Sequence, residues 1–326
     1  MSGVEKRPPG ALAPFRVRSK WGRLMGVHFE IVRDGKDFSV RIDAEAIMPI
    51  GSKVRYRNKR TGVERFGLSN DAGNFGSERA RELLFLAHDY RGIYSFWADF
   101  IEPTAICEGQ SFLSLNSYDR ARFTFGFGQF AAHVPDGDFI HWFRDMLQRP
   151  EAIDYFPNLE VIGGRIFKRE DGKAVAMETA ESTEPLQLFF NPTLDDVEDA
   201  EVIAAAKFIH WTLMHQGARL LQVQHMVATA QRLVREADRR IVLDGLSADL
   251  CCIVMDVRHQ GRAGYDELKA ALLAKDPFAA LLEVGAVSQP SRNDNLKAAL
   301  ASRRAALRGW IWSRAMGDFV SKGEGA

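Results

Sequence analysis

Two acidic residues, Glu108 and Asp119, stand out because of their spacing and their neighbours. Cleavage of a glycosidic bond takes two carboxyl groups: one protonates the leaving oxygen, and the other activates water or stabilises the oxocarbenium-like centre. Glu108 follows an apolar stretch, residues 90–106, whose side chains should exclude water and keep a proton available. Asp119 lies in a polar, turn-forming stretch that favours the ionised form. The pair predicts glycosidase chemistry, with Glu108 as acid and Asp119 as base.

A strand is predicted directly after the two acids, over residues 123–128, because phenylalanine alternates there with threonine or glycine. The glycine-bearing face would let a ligand or another backbone approach closely. Thr124 would point towards the two acids, where its hydroxyl can hold a water molecule. Gln129 would bind a sugar or brace Glu108.

The order of these residues resembles a known active-site segment. Glu108-Gly109, Tyr118-Asp119 and Thr124-x-Gly126-x-Gly128 are similar to the active-site segment of phage-type lysozymes. The spacing from Asp119 to Thr124 and Gly126, with Phe130 and Asp138 after it, resembles glycoside hydrolase family 46 chitosanases. Both groups belong to the lysozyme-like superfamily.

Shorter similarities continue along the chain. Ala152 to Leu159 resembles a stretch that follows the active site in those chitosanases. Asp256 with His259-Gln260-Gly261 resembles a chitosanase helix end. Ser302-Arg303-Arg304 through Trp310 resembles the last helix of phage-type lysozymes. The resemblance implies Glu108 as general acid, Asp119 as the base and Thr124 as the residue that positions the water, with inversion of configuration. It also implies that His259 lines the cleft. Asn116, Tyr118, Gly126 and Gln129 complete the predicted substrate-binding set.

The leading interpretation is an inverting glycosidase that cleaves the glycan strand of peptidoglycan. A chitosanase is the alternative substrate class, and its cationic polymer would need carboxylates along the groove, for which Asp136, Asp138, Asp145 and Asp256 are candidates. A lysozyme-like body that only binds glycan or serves as a structural piece is a further alternative. Glu102 is the rival acid, but the following Pro103 disfavours helix there, so Glu102 should mark a helix boundary.

Composition bounds the remaining function classes. The 326 residues are 46% hydrophobic with balanced charge, but residues 1–66 carry 15 Lys or Arg against 7 Asp or Glu. This basic part is predicted to contact an anionic polymer or a partner protein, or to be simply a solvated surface. The sequence has no run of about 18 apolar residues, and its first twenty residues lack the hydrophobic core of a secretory signal. We therefore expect synthesis in the cytoplasm, no membrane span, and action on the cell wall after lysis or dedicated export.

No cofactor is predicted. The three cysteines, Cys107, Cys251 and Cys252, have apolar neighbours and are expected to be reduced core residues. The histidines lack metal-ligand spacing, because His210 and His215 are five residues apart and no His-Glu-x-x-His sequence occurs, so no metal site is predicted. The glycines of residues 124–128 are not followed by Lys-Ser or Lys-Thr as in a phosphate-binding loop, and no specific nucleic-acid motif is present.

The predicted fold class is mainly α (α+β). We expect a lysozyme-like helical domain over residues 76–320 with a small β-hairpin or sheet at the active-site cleft, preceded by a small basic β-rich region over residues 1–75. Strand patterns fill residues 27–66, and residues 70–74 are a predicted linker. Helices are predicted from residue 77 towards 101, over 139–148, from 195 with a break near Gly217, and over 247–258, 265–273 and 293–312. A hairpin is predicted around Asp171-Gly172.

Overall fold

The computed structural model describes residues 26–43, 46–58, 61–70, 83–286 and 290–323. Helices make up 45% of the structure and strands 22%. Seven strands form one antiparallel sheet in which each strand pairs with the next along the chain. They are β1 (Phe29–Asp34), β2 (Asp37–Ile42), β3 (Ala46–Arg57), β4 (Glu64–Asn70), β5 (Leu115–Asn116), β6 (Thr124–Phe125) and β7 (Phe130–Ala131).

The predicted fold class is therefore wrong. The sheet is large, and it does not divide into a small active-site hairpin and a separate β-rich segment. The two parts join because Ser69 of β4 pairs with Asn116 of β5, next to the pair formed by Asn70 and Leu115. The Asn70 side chain reinforces the junction, since it accepts a hydrogen bond from Leu115 N (2.8 Å) and donates one to Ile50 O (3.1 Å). Asn70, the first residue of the predicted linker, is thus a strand residue; residues 71–74 lie outside the described residues.

The helices pack around this sheet and a hydrophobic core that includes a cluster of aromatic rings. They are α1 (Ala87–Tyr94), α2 (Phe96–Cys107), α3 (Asp138–Leu147), α4 (Ala152–Tyr155), α5 (Glu184–Phe190), α6 (Asp199–Met214), α7 (Gln216–Ile241), α8 (Ala248–His259), α9 (Tyr265–Leu272), α10 (Pro277–Glu283), α11 (Pro290–Ala301) and α12 (Arg304–Leu307). A three-stranded sheet, β8 (Leu159–Ile162), β9 (Arg165–Glu170) and β10 (Lys173–Ala176), and a hairpin, β11 (Trp310–Ser313) and β12 (Asp318–Ser321), complete the fold.

Two sequence predictions are confirmed at the level of single elements. The hairpin around Asp171-Gly172 joins β9 to β10, with both turn residues at positive φ, 47° and 77°. The long helical stretch after residue 195 breaks near Gly217, at His215, whose backbone is extended between α6 and α7.

The helix that leads to Glu108 differs from its prediction. Ser95, at φ 49°, separates α1 from α2, and the predicted start at residues 77–78 lies outside the described residues. Pro103 lies inside α2 and does not mark a boundary. The helix continues because its neighbours, including Phe100 and Ile101, are fully buried, and this packing outweighs the lost backbone hydrogen bond. Glu102 is likewise a buried helix residue and not a helix boundary.

The C-terminal helix prediction, residues 293–312, is also wrong at its end. Helical structure stops at Leu307, and residues 310–313 form strand β11 paired with β12. Aromatic packing favours the strand, because Trp310 stacks on Phe96 with ring centroids 4.4 Å apart and Phe319 packs against Trp312 at 5.3 Å.

The predicted strand over residues 123–128 is shorter than expected. Only Thr124 and Phe125 are in β6, and a turn at residues 126–129 leads into β7. The turn forms because Gly126 and Gln129 adopt positive φ, 83° and 49°.

Gly67 permits the closest approach between β4 and the segment that carries Asp119. A Cβ at Gly67 would lie 2.6 Å from Tyr118 N and 2.7 Å from Ser117 C, both backbone atoms. Gly67→Ala is therefore expected to lower the free energy of unfolding by about 1–3 kcal/mol through overpacking, as measured by urea denaturation. Gly92→Ala is the matched control, since a Cβ there has no neighbour within 4 Å and alanine favours the α1 helix. Equal stability of the two variants would contradict this prediction.

Candidate active site

Glu108 lies at the carboxyl end of α2, at the edge of an open cavity. The helix ends there because Gly109 and Gln110 follow at φ 83° and 59°, a left-handed conformation that ends helices. The Glu108 carboxyl group is mostly buried, with 14% of its side chain exposed. Its Oε1 accepts hydrogen bonds from Gln260 Nε2 (2.6 Å) and Arg292 Nη1 (2.5 Å). Among the described residues Oε2 has no hydrogen-bond partner, so it is the oxygen available to a ligand.

Arg292 links Glu108 to a second, deeper carboxylate. It also contacts Asp256, which is fully buried and accepts a further hydrogen bond from Arg262 Nη2 at 2.7 Å. Carboxyl and guanidinium groups therefore alternate from the cavity to the core, so Arg292 and Arg262 each have an acidic partner. Burial by itself would lower the pKa of Arg292, but the negative charge of Asp256 outweighs burial, and the pKa is raised. For Arg262 burial is the larger effect, and its pKa is lowered.

The cavity beside Glu108 has a volume of about 250 Å³ and is lined by both polar and apolar atoms. It is lined by Ser69, Asn70, Cys107, Glu108, Gly109, Ser111, Ser114, Leu115, Asn116, Tyr118 and Gln129. Glu108 is the one charged side chain in this lining, as far as the described residues show. The hydroxyl and amide groups suit a ligand rich in neutral hydrogen-bonding groups, as a sugar is. Cys107 is not a thiolate nucleophile at neutral pH, because burial raises its pKa to about 12.

Asp119 lies next to this cavity and not in its lining. It follows the lining residue Tyr118, and its Oδ1 accepts a hydrogen bond from Ala121 N at 2.8 Å. This side-chain-to-backbone bond stabilises a turn and orients the carboxylate. Its Oδ2 has no partner among the described residues, and the side chain is half-buried, so solvent reaches it.

Thr124 and Asn116 are opposite each other on neighbouring strands. They form a register pair between β6 and β5, so their side chains share one face of the sheet. Asn116 lines the cavity, and its Nδ2 donates a hydrogen bond to Gln129 Oε1 at 3.0 Å. Thr124, beside Asn116 on the neighbouring strand, is buried, with 4% of it exposed. Gln129 thus braces Asn116, while Gln260 is the glutamine that contacts Glu108.

Gly126 and His259 contact other parts of the protein. A Cβ at Gly126 would lie 2.4 Å from Gln222 Oε1, so the close approach that this glycine permits is to a side chain of α7. The His259 ring lies 3.3 Å from Gly128 O, and the next residue, Gln260, reaches Glu108. Of the predicted set, the structure thus brings Glu108, Asn116, Tyr118 and Gln129 together around one cavity.

Sequence reasoning missed Arg292, Arg262 and Gln260 as partners of the acidic residues. Arg292 is 184 positions from Glu108, and no local pattern connects them. The sequence contains one partial signal, the stretch from Asp256 to Gln260 that resembles a chitosanase helix end. Its first and last residues, Asp256 and Gln260, both belong to the network.

Another buried carboxyl group, that of Glu201 in α6, supports the segment that carries Asp119. Its Oε1 accepts hydrogen bonds from Leu68 N (2.9 Å) and from the Ser117 hydroxyl, while its Oε2 has no partner among the described residues. Burial raises the pKa of Glu201 to about 7. Glu201 therefore holds β4 and the start of the Asp119 turn together, and it keeps its proton to a higher pH than an exposed glutamate does.

Stability is expected to fall as the pH rises from about 4.5 to about 7, because over this interval the unfolded state has released the Glu201 proton and the folded state retains it. Over this interval the free energy of unfolding should fall by roughly 1–3 kcal/mol because of Glu201. In Glu201→Gln this part of the pH dependence should disappear, so thermal melting at a series of pH values tests it. Glu198→Gln is the control, being a more exposed acid one helical turn earlier. An unchanged pH profile in Glu201→Gln would contradict the assignment.

Two further properties of the described residues bear on function. No group of three or more His, Cys, Asp or Glu side chains within them is placed to hold a metal ion. No helix in the described part of the chain has the length and apolar character needed to cross a membrane.

Comparisons of the chain with protein-family models, with curated proteins and with solved structures gave no match.

Proposed function

We propose that this protein is an inverting glycosidase that hydrolyses the glycan strand of peptidoglycan. The observation that carries the proposal is the state of Glu108. One carboxyl oxygen is held by Arg292 and Gln260, and the other is free at the edge of a cavity lined by neutral polar groups. A carboxyl group fixed in orientation, with one oxygen available, is what proton donation to a glycosidic oxygen needs.

In the proposed reaction Glu108 donates its proton to the glycosidic oxygen as the bond to the anomeric carbon breaks. Asp119 takes a proton from a water molecule, whose oxygen attacks the anomeric carbon from the opposite face. The configuration is inverted, and proton exchange with solvent returns both carboxyl groups to their starting states. A polysaccharide is longer than the cavity. A chain that leaves the cavity past Tyr118 would reach Asp119, whose free Oδ2 serves as the base.

The placement of other carboxylates favours peptidoglycan over chitosan as substrate. The four acids that could have lined a groove for a cationic polymer are engaged elsewhere: Asp136 with Arg144, Asp138 with Thr229 and Arg232, Asp145 with His225, and Asp256 with Arg262 and Arg292. None of these four lines the cavity, so they offer no negative groove for a cationic polymer.

Two assays on the full chain test the proposal. Purified peptidoglycan should lose turbidity and release reducing ends on incubation with the protein, while chitosan should release little sugar. The reverse preference would assign a chitosanase. No release from either polymer would reject the glycosidase proposal.

Binding of glycan without hydrolysis is the second candidate function. It is favoured by the position of Asp119, which does not line the cavity that holds Glu108. This function predicts co-sedimentation of the protein with insoluble wall, no release of reducing ends, and equal retention by the wild type and Asp119→Asn. Release of reducing ends that is lost in Asp119→Asn would reject it.

A further inference from the structure

The N-terminal sheet presents a continuous surface that begins at the cavity. Alternate residues of β4 share one face, so Ser69, Gly67 and Arg65 point the same way. A Cβ at Gly67 would meet the backbone of Tyr118, which lines the cavity, so the face of β4 that carries Gly67 and Arg65 is the face that Tyr118 covers. Arg65 lies on this face towards the β3–β4 hairpin end. Tyr56 of β3 is the register partner of Arg65 and shares this face.

An aromatic pair connects the cavity to Arg65. Tyr118 lines the cavity, and its backbone packs over Gly67. Its ring stacks on Tyr56, with centroids 5.9 Å apart and an interplanar angle of 28°. Tyr56 remains 37% exposed, so part of its ring is open to a ligand. We call Tyr118, Tyr56 and Arg65 the aromatic-arginine strip.

The charge of the strip is positive. Among the described residues no carboxylate pairs with Arg65. The neighbouring acid, Glu64, is on the opposite face, where it pairs with Arg55 and is the register partner of Arg57. The carboxylate nearest in sequence is therefore not available to neutralise Arg65, which is half-buried beside an exposed aromatic ring.

We propose that the aromatic-arginine strip is a substrate subsite for a sugar ring that carries an anionic substituent, such as the carboxylate-bearing side groups of peptidoglycan. The electron-rich faces of the tyrosine rings pack against the C–H groups of a sugar, and the Arg65 guanidinium pairs with a carboxylate. The subsite rests on the proposed glycosidase function, because it extends the same cleft. It also gives the N-terminal sheet a role in substrate selection.

Binding measurements on the full chain test this subsite. Affinity is measured in a Glu108→Gln background, to prevent turnover, for soluble peptidoglycan strands, a neutral N-acetylglucosamine oligomer and a chitosan oligomer. Tyr56→Ala should weaken binding of the first two by about tenfold, and Tyr56→Phe should restore it, since stacking needs only the ring. Arg65→Gln should weaken the anionic strands by about three- to fivefold at low salt and leave the neutral oligomer unchanged.

Arg57→Gln is the matched control for Arg65→Gln, because it removes the same charge from the same hairpin on the opposite face. The subsite is overturned if the two arginine variants have equal effects, if Tyr56→Ala binds as the parent does, or if none of the three glycans binds. Thermal melting of each variant distinguishes the loss of a glycan contact from unfolding of the protein.

Failure of the subsite and failure of the chemistry give different results. If the wild type releases no sugar but Tyr56→Ala still weakens binding, only the glycosidase proposal fails. If Glu108→Gln abolishes hydrolysis but Tyr56→Ala binds like its parent, only the subsite fails.

Discussion

Replacing Glu108 with glutamine is expected to lower the rate of peptidoglycan hydrolysis by about 10²- to 10⁴-fold. Glutamine keeps an oxygen that can accept the hydrogen bonds from Gln260 and Arg292, so the local geometry should persist. It cannot donate the proton that the leaving oxygen requires. Release of reducing ends from purified peptidoglycan, with thermal melting of the same sample, measures both properties.

Glu102→Gln is the matched control for this variant. Glu102 is on the same helix, is also paired with an arginine, Arg303, and was the rival acid by sequence. It is 5% exposed and accepts a hydrogen bond from Ala87 N at 3.1 Å, so its role is structural. Glu102→Gln should lower the melting temperature and keep the hydrolysis rate. Full activity in Glu108→Gln would refute the assignment of Glu108 as the acid.

Replacing Arg292 with methionine is expected to lower the free energy of unfolding by about 3–5 kcal/mol, because it removes one partner from a buried network of charges. Asp256, fully buried, would keep only Arg262, and Glu108 would lose the contact that orients its carboxyl group. Hydrolysis should therefore fall together with stability. Urea denaturation gives the first quantity, and reducing-end release under native conditions gives the second.

Arg232→Met provides the comparison for a pair near the surface. Arg232 contacts Asp138 at 3.3 Å, and 57% of its side chain is exposed, so its loss should cost at most about 1 kcal/mol. A double-mutant cycle of Arg292→Met with Glu108→Gln should show a coupling energy of about 0.5–3 kcal/mol. Equal stability of the Arg292 and Arg232 variants would show that the network contributes nothing beyond an exposed pair.

Much of the helical structure could be predicted because its signals are local. The break between α6 and α7 and the turn at Asp171-Gly172 each depend on residues adjacent in sequence. Where a local rule failed, as at Pro103, the burial of surrounding apolar side chains stabilised a helix that the rule disfavours. Burial is a property of the folded chain, so a local rule cannot account for it.

The sheet shows the limit of such rules most clearly. Strand patterns in residues 27–66 predicted an antiparallel unit, but nothing in them indicated that β4 pairs with β5, the strand that carries Asn116. This pairing joins residues that are 45 or more positions apart in the sequence. The alternation of apolar and polar residues in a strand indicates which face is buried, but it does not indicate which other strand is the neighbour.

The sequence by itself determined that Glu108 ends a helix before Gly109 and that Asn116 and Tyr118 follow it in a polar segment. The glycan chemistry that these side chains indicate stays a prediction. Only the tertiary structure decided their partners: Arg292 on the Glu108 carboxyl group, Glu201 beneath Ser117, and Tyr56 on Tyr118. The physical reason is that helix ends and turns are set by backbone interactions over a few residues. Charge pairing, burial and ring stacking instead depend on which distant segments the fold brings within a few ångströms.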